Sequence, residues 1–493
     1  MNQAALEKIT FIPKSSKIIT FLLITCSCIT STTFGYDASM INGLNILPSY
    51  TDYFHLNTAT LALNTASIWI GGCLVAFCYG QFTDWVGRRP ALLWAALITV
   101  FAVILQTAAQ NVAMFVIARI LIGFGTSASG LCGPVYLAET LPFQRRAWGL
   151  GVFNDFYYVG GLIAAGITFG TSTMNSTWAW RIPSAIQGVF SIICIIIIHF
   201  IPESPRWLIY QNQHEEALKV IAYMYADGDR ENPLVVAQFK EITDTIDYEK
   251  TSGETLSMMQ LVKTPSARKR VTLAISAAVF STIAGNVIAS YYLGMMLGNA
   301  GITNTTTQLE INIILNVWCL VCSLIGTWLV DRMGRKSLGI LSQSLLTVFL
   351  FLVGALTKIY GASTFNPGIY ATVAMLFLFQ GSYSIGWTPL LYLYPPEVMN
   401  YSIRANGMAI FQFALNGTAL WCVFAFPFAL VAIGWKTYMI NGAYDVLIIG
   451  LMAWYWVETK GTSLEEVDRV IDGEKHSNVP DLKSVLKGEG KLF

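Results

Sequence analysis

Gly80-Gln-Phe-Thr-Asp84-Trp-Val-Gly87-Arg88-Arg89 closes one apolar run of this sequence, and Gly326-Thr-Trp-Leu-Val-Asp331-Arg-Met-Gly334-Arg335-Lys336 closes another. The two aspartates are 247 residues apart. Two more pairs recur at similar offsets. Tyr136-Leu-Ala-Glu139 is followed by Arg146, and Tyr394-Pro-Pro-Glu397 by Arg404, seven residues on in both cases, with the glutamates 258 apart. Pro202-Glu203-Ser-Pro-Arg206-Trp has its match in Val457-Glu458-Thr-Lys460, with the glutamates 255 apart. Three matched motifs at like spacing indicate a duplicated unit.

The size of that unit follows from the apolar runs. A membrane-crossing helix needs about 20 mostly apolar residues. Twelve stretches qualify: 18–43, 59–82, 91–109, 113–135, 147–171, 178–201, 271–297, 309–330, 337–358, 368–393, 407–430 and 435–457. The expected fold is an all-α membrane protein of twelve transmembrane helices in two pseudo-symmetric six-helix halves. The expected organisation is an N-terminal segment 1–17, a first bundle 18–201, a linker 202–270 with short helices, a second bundle 271–457 and a tail 458–493.

Composition agrees. Of 493 residues, 54% are hydrophobic and 12% charged, against roughly 25% charged in soluble domains. Thirty basic and 29 acidic residues give a net charge of +1, which excludes a nucleic-acid partner. The lipid bilayer is the expected solvent. Lys8, Lys14 and Lys17 precede the first run, but that run is longer than a signal peptide's core and lacks a small-x-small cleavage site. It reads as helix 1.

Basic residues collect on the cytosolic side of membrane proteins. Of the 30 here, all but Arg119, Arg181, Lys358 and Lys436 fall on the side that carries both termini and the even-numbered connections. Cytosolic termini and linker are therefore expected. All nine cysteines lie in apolar runs without metal-ligand spacing, and the four histidines are scattered. No metal, cofactor or nucleophile–base constellation is called for, so an enzyme is not expected. Asn175-Ser-Thr and Asn304-Thr-Thr are glycosylation sequons on expected outer loops.

These motifs resemble the major facilitator superfamily, sugar porter family, over nearly the whole membrane part. Phe34-Gly-Tyr-Asp37, Gly386-Trp-Thr-Pro389 and Leu393-Tyr-Pro-Pro-Glu-Val398 are similar to its fungal lactose permease and cellodextrin transporter branch. The resemblance implies a monomeric carrier of a small sugar working by alternating access, with substrate held between the halves. At the cytosolic ends, Asp84, Arg88, Arg89, Glu139, Arg146, Glu203 and Arg206 are expected to tie one half together. Asp331, Arg335, Glu397, Arg404 and Glu458 are expected to do the same in the other, as a gate of charge-assisted pairs.

Charges inside the membrane are costly and read as functional. Asp37 and Arg119 each lie about 9 Å from the outer surface at 1.5 Å per residue. Opposite charges at one depth make Asp37 the expected proton site, with Arg119 its partner, so protons are an expected second cargo. Proton-coupled members of the resembled family carry an Asp here. A static ion pair is the alternative, and with it an uncoupled facilitator. A sensor without transport is disfavoured by the short tail.

Sugar sites combine amides and hydroxyls with flat aromatic faces. Expected substrate residues are Asn154, Asp155 and Tyr158 on helix 5 and Ser281, Thr282, Asn286, Tyr291 and Tyr292 on helix 7. Asn316 on helix 8, Trp387 and Tyr392 on helix 10 and Asn416 on helix 11 complete the set. The resembled family commonly has Gln where Asp155, Ser281 and Thr282 stand, and often a stacking Trp in place of Tyr392. A hexose, pentose, disaccharide or sugar acid therefore remain open as cargo. Asp445 on helix 12 is expected to be structural.

Overall fold

The computed structural model describes residues 12–461, apart from 14, 46, 252–255, 303, 362 and 364, together with residues 467 and 471. Most of the expected N-terminal segment and tail, including a short helix expected over Ser463 to Ile471, lies outside the described residues. Among those described, helices dominate and no strand occurs.

Each of the twelve apolar runs is helical. They are numbered α1 Ser16–Leu44, α2 Thr58–Val75 continued by Tyr79–Val86, α3 Arg88–Thr107, α4 Val112–Thr140, α5 Phe143–Thr171 and α6 Trp178–Ile198. The second set is α7 Pro265–Ile283 continued by Asn286–Tyr291 and Leu293–Asn299, α8 Thr305–Met333, α9 Arg335–Tyr360, α10 Asn366–Val398, α11 Tyr401–Ile433 and α12 Lys436–Tyr455. Among the described residues nine helices are long and apolar enough to cross a membrane, or ten if the two pieces of α2, bent by 52°, form one span. The other two are weakened for visible reasons. α7 is broken and starts with Arg268, Lys269 and Arg270, and α12 carries Lys436, Asn441 and Asp445.

The starts of α2, α4 and α8 share one device. Asn57, Asn111 and Asn304 each accept a backbone N–H three residues on, at 2.8–3.1 Å. This satisfies a donor that the first helical turn leaves unpaired. In α2, Thr60 returns the bond and completes a capping box. Asn304, of the second sequon, thus has its carbonyl oxygen in the cap of α8.

Without a hydrophobic force between helices in lipid, close packing relies on small residues. Reciprocal glycines make two such crossings. A Cβ on Gly35 of α1 would stand 1.9 Å from Tyr157 O, and one on Gly160 of α5 would stand 2.1 Å from Thr32 O. Between α2 and α4, Gly71 meets Ile120 O and Gly123 meets Ile68 O, both at 1.9 Å. In the other half, Gly326 of α8 meets Ile385 O of α10 at 1.9 Å. A carbonyl cannot rotate away, so Gly123→Ala is expected to lower stability by roughly 1–3 kcal/mol. Gly166→Ala, which meets nothing within 4 Å, is the control. Thermal unfolding of the two purified variants checks this, and equal melting points would remove the crossing as a cause.

Six helices precede the linker and six follow it. The halves meet where α5 packs on α8 and α10, and where α2 packs on α11. The linker forms short helices, among them Pro205–Tyr210, His214–Ala226 and Pro233–Thr251. It touches both halves: Asp227 accepts from the Ser16 N–H at the start of α1 at 2.6 Å, and Glu249 accepts from the Ser402 N–H at the start of α11 at 2.9 Å. This face is called the linker end below, and the opposite one the far end.

Candidate functional site

A cavity of about 640 Å³ opens between the halves. Of the expected substrate residues, Asn154, Tyr158, Thr282, Asn286, Tyr291 and Tyr392 line it. Asn416 lines an adjoining space of about 350 Å³ that shares Phe34, Asn154 and Tyr392 with it. Asn316 lines a third, of about 410 Å³, that shares Tyr157, Tyr158 and Ser290. The three spaces adjoin along the seam and share walls.

The structure turns four expected residues away from it. Asp155 is fully buried against α8, where its Oδ2 accepts from Thr327 Oγ1 at 2.7 Å. Ser281 donates to Ala278 O at 3.0 Å within its own helix. Tyr292 donates to Val423 O at 2.7 Å. Trp387 donates from Nε1 to Gln343 Oε1 at 2.7 Å and sets its ring edge-on to Trp456. Each is the immediate neighbour of a residue that does line the cavity: Asn154, Thr282, Tyr291 and Thr388. Successive helical side chains diverge by about 100° at 3.6 residues per turn, so only one member of each pair faces the cavity.

Several wall residues were not singled out from the sequence. Phe34, Trp69, Tyr157 and Tyr383 join Tyr291 and Tyr392 to give the cavity aromatic faces. Phe34 meets Trp69 edge-on with ring centres 6.0 Å apart, and Trp69 meets Tyr291 at 5.7 Å. Tyr158 shares a hydrogen bond with Ser384 Oγ at 2.8 Å, and Asn154 Nδ2 donates to Thr388 O at 2.6 Å, so α5 and α10 are joined across the seam. Gln412 donates to Tyr392 Oη at 3.4 Å. Such aromatic residues resemble packing residues in an apolar run, which is why the sequence hid them.

Asp37 and Arg119 lie together, both fully buried. The pair is bidentate: Nη1 donates to Oδ1 at 3.2 Å and Nη2 to Oδ2 at 3.1 Å. Gln187 Nε2 on α6 donates to Oδ1 at 3.0 Å, and Arg119 Nε donates to Asn64 O at 2.7 Å. Four helices thus hold the pair. Phe34, one turn before Asp37 on α1, lines the cavity. Gln187 is a partner that sequence reasoning missed; its signal was an amide within an apolar helix. Asp445, by contrast, is held by Gln343 at 3.1 Å and Asn441 at 2.8 Å inside its own half.

At the linker end the duplicated motifs assemble twice. Arg88 binds Glu139 through Nε at 2.9 Å and Nη2 at 3.2 Å, and Asp84 at 3.0 Å. Arg335 binds Glu397 through Nε at 3.0 Å and Nη2 at 2.8 Å, and approaches Asp331 at 3.5 Å. Glu203 accepts from the N–H groups of Arg88 and Arg89, and Glu458 from those of Arg335 and Lys336, at 2.8–3.3 Å. These are carboxylates on helix N-termini. Gly87 and Gly334, at φ +102° and +94°, allow the turn, and a Cβ on either would stand 2.5 Å from the glutamate below. Burial pushes the Glu203 carboxyl above the usual range, against the backbone donors and Arg88 and Arg89 that draw it down.

Arg89 Nε donates to Ile198 O at 2.9 Å, and Arg206 Nη1 to Glu139 O at 2.6 Å. Arg146 is buried at this level. Arg404 departs from the expected grouping by halves. Arg404 of α11 reaches across the seam, Nη1 to Glu139 Oε1 at 3.2 Å. The Arg88 guanidinium also sits over the Tyr401 ring, 5.1 Å from its centre. The two halves are therefore bolted together at the linker end.

The model of the family described as "Sugar (and other) transporter" matches residues 23–471. The high-affinity glucose transporter of Kluyveromyces lactis is 28% identical over 490 residues, covering 94% of this chain and 88% of that one. The MFS glucose transporter mfs1 of Aspergillus flavus is 27% identical over 497 residues, covering 93% and 92%. Among solved structures, the proton:xylose symporter XylE bound to 6-bromo-6-deoxy-D-glucose superposes with a TM-score of 0.82 at 22% identity. That match covers 92% of this chain and 100% of that one.

Proposed function

Because this chain belongs to the sugar (and other) transporter family, and is thus a multi-pass membrane carrier rather than an enzyme, we propose that it imports a mono- or disaccharide together with protons by alternating access. The observation that carries this is the bidentate Asp37–Arg119 pair set one turn behind a seam cavity of aromatic faces and amides. Two glucose transporters and a proton:xylose symporter among the similar proteins support a sugar cargo and proton coupling. The linker end is proposed to face the cytosol at the plasma membrane, since it collects the basic residues.

In this reading the far end admits sugar and proton. A sugar settles with its apolar face on Tyr392, Tyr291 or Trp69 and its hydroxyls on Asn154, Asn286 and Thr282. Asp37 takes a proton when Arg119 is drawn off it, and the neutral carboxyl lets α1 and α4 shift without separating two full charges. The linker end then opens as the bond from Arg404 to Glu139 breaks. The test is direct: sugar added to cells in lightly buffered medium should alkalinise that medium. Sugar uptake without proton movement would establish a uniporter, for which the fully partnered Asp37 is the observation in favour.

Asn286 stands on a six-residue helix between the two breaks of α7 and lines the cavity. A hydrogen bond to a neutral group contributes about 1 kcal/mol, so Asn286→Ala is expected to raise the KM for sugar roughly fivefold with little change in surface expression. Radiolabelled uptake kinetics checks this, and an unaltered KM would remove Asn286 from the substrate site.

A further inference from the structure

One buried carboxyl lies on the seam and takes no part in the site above. Asp155 of α5 is fully buried, its Oδ2 accepting from Thr327 of α8 at 2.7 Å and its Oδ1 without a hydrogen-bond partner. The contact belongs to the linker side: Asp155 comes 12 residues after α5 starts there, and Thr327 six before α8 ends there. It joins the two halves, and Gly151, one turn earlier, leaves room for Thr327, whose Cγ2 would lie 2.7 Å from a Cβ.

Among the described residues, no cation acts on this carboxyl. Of the helices packed on α5, α1 presents the Cys28 thiol, and α8 presents the hydroxyls of Thr327 and Ser323. No group from α4, α6 or α10 acts on the carboxyl. Asp37, in contrast, has a guanidinium on both oxygens. An ionised carboxylate buried against hydroxyls alone is strongly penalised, whereas a neutral one is tolerated.

We infer that Asp155 is a second proton-binding site, filled while α5 and α8 are closed together at the linker end and emptied when they part. While closed, the proton sits on the unpartnered Oδ1 and Oδ2 accepts from Thr327. When the helices part, that bond breaks, water reaches the carboxyl, and the proton passes to water to leave the carboxylate. Reclosing requires a proton from the linker side. Linker-side pH therefore sets the balance between closed and open carrier, with alkaline pH favouring open. The inference rests on the alternating-access reading, but not on Asp37 or on sugar.

The test uses sugar-free, full-length protein in nanodiscs. Spin labels at Arg145→Cys and Arg332→Cys, both exposed at the linker ends of α5 and α8, report their separation, with Cys73→Ser and Cys78→Ser to limit stray labelling. The long-distance population should rise with pH in the parent and lose its pH response in Asp155→Asn. Thr327→Val, which removes a bond made only while the helices are closed, should keep the response but move its midpoint to more acidic pH. A parent without a pH response overturns the inference, as does an Asp155→Asn protein that responds like the parent. Should that variant fail to fold, an unmoved midpoint in Thr327→Val overturns it. Sugar-induced proton uptake, measured separately, decides the coupling reading whichever way this falls.

Discussion

Asp37→Asn is expected to collapse sugar accumulation to equilibration while sugar-for-sugar exchange continues. One proton entering with each sugar across 100 mV supplies about 2.3 kcal/mol, enough for a gradient of roughly fiftyfold at 1.4 kcal/mol per factor of ten. Without a titratable carboxyl that supply is lost, and the ratio of internal to external sugar should fall to about one. The Asn keeps an oxygen to accept from Arg119, and Arg119 still donates to Asn64 O, which offsets part of the cost of leaving that buried charge without its carboxylate; exchange activity shows that the variant has folded. Accumulation is measured in a transporter-null yeast at acidic and neutral external pH. Accumulation that persists and still rises with acidity would sink Asp37 as the coupling group.

Glu139→Gln is expected to be the most destabilising single change at the linker end. Glu139 is fully buried and accepts from Arg88 twice, from Arg404 across the seam and from Ser204 Oγ at 2.6 Å. Removing one partner of a buried ion pair costs about 3–5 kcal/mol, because the other charge stays buried without compensation. Arg88 retains Asp84, which offsets part of that; Arg404 loses its bond to this carboxylate. The expected outcome is a clearly lower melting temperature and a carrier that rests open at the linker end. The counterpart Glu397→Gln takes the carboxylate from Arg335 and from Thr459 Oγ1, both in its own half, so it should lower stability while opening that end less. Melting curves with accessibility labelling at the linker end separate the two. Equal opening in both variants would show that the cross-seam bond does not hold the gate.

The duplicated fold was legible because charge at helix ends is rare in an apolar chain, and its recurrence marks the repeat. Arg88–Glu139 and Arg335–Glu397 were readable for that reason. Arg404 was not: its spacing from Glu397 repeats that of Arg146 from Glu139, and equal spacing says nothing about which half a long side chain enters. The candidate cavity was readable by helix but not by residue. Polar neighbours such as Asn154 and Asp155, or Ser281 and Thr282, diverge by about 100° on the helix, and the rotation that selects one is set by glycine crossings such as Gly35 on Tyr157 and Gly160 on Thr32. Gln187 escaped because an amide in an apolar helix has many possible uses; only the fold brings it to Asp37.

The contrast between α1 and α7 has a further consequence. They occupy matching places in the repeat, yet α1 is one helix of 29 residues, whereas α7 is three pieces of 19, six and seven, jointed at Gly285 with φ +91°. Stiffness has gone to the copy that holds the ion pair, and pliancy to the copy whose Asn286 and Tyr291 face the cavity. A duplication that splits labour this way lets one copy drift without disturbing the other. Cargo can then change through substitutions around the joints of α7 while the charge pair on α1 and α4 is left alone. Transplanting α7 from a carrier of different taste should carry that taste with it and leave the energy source where it was.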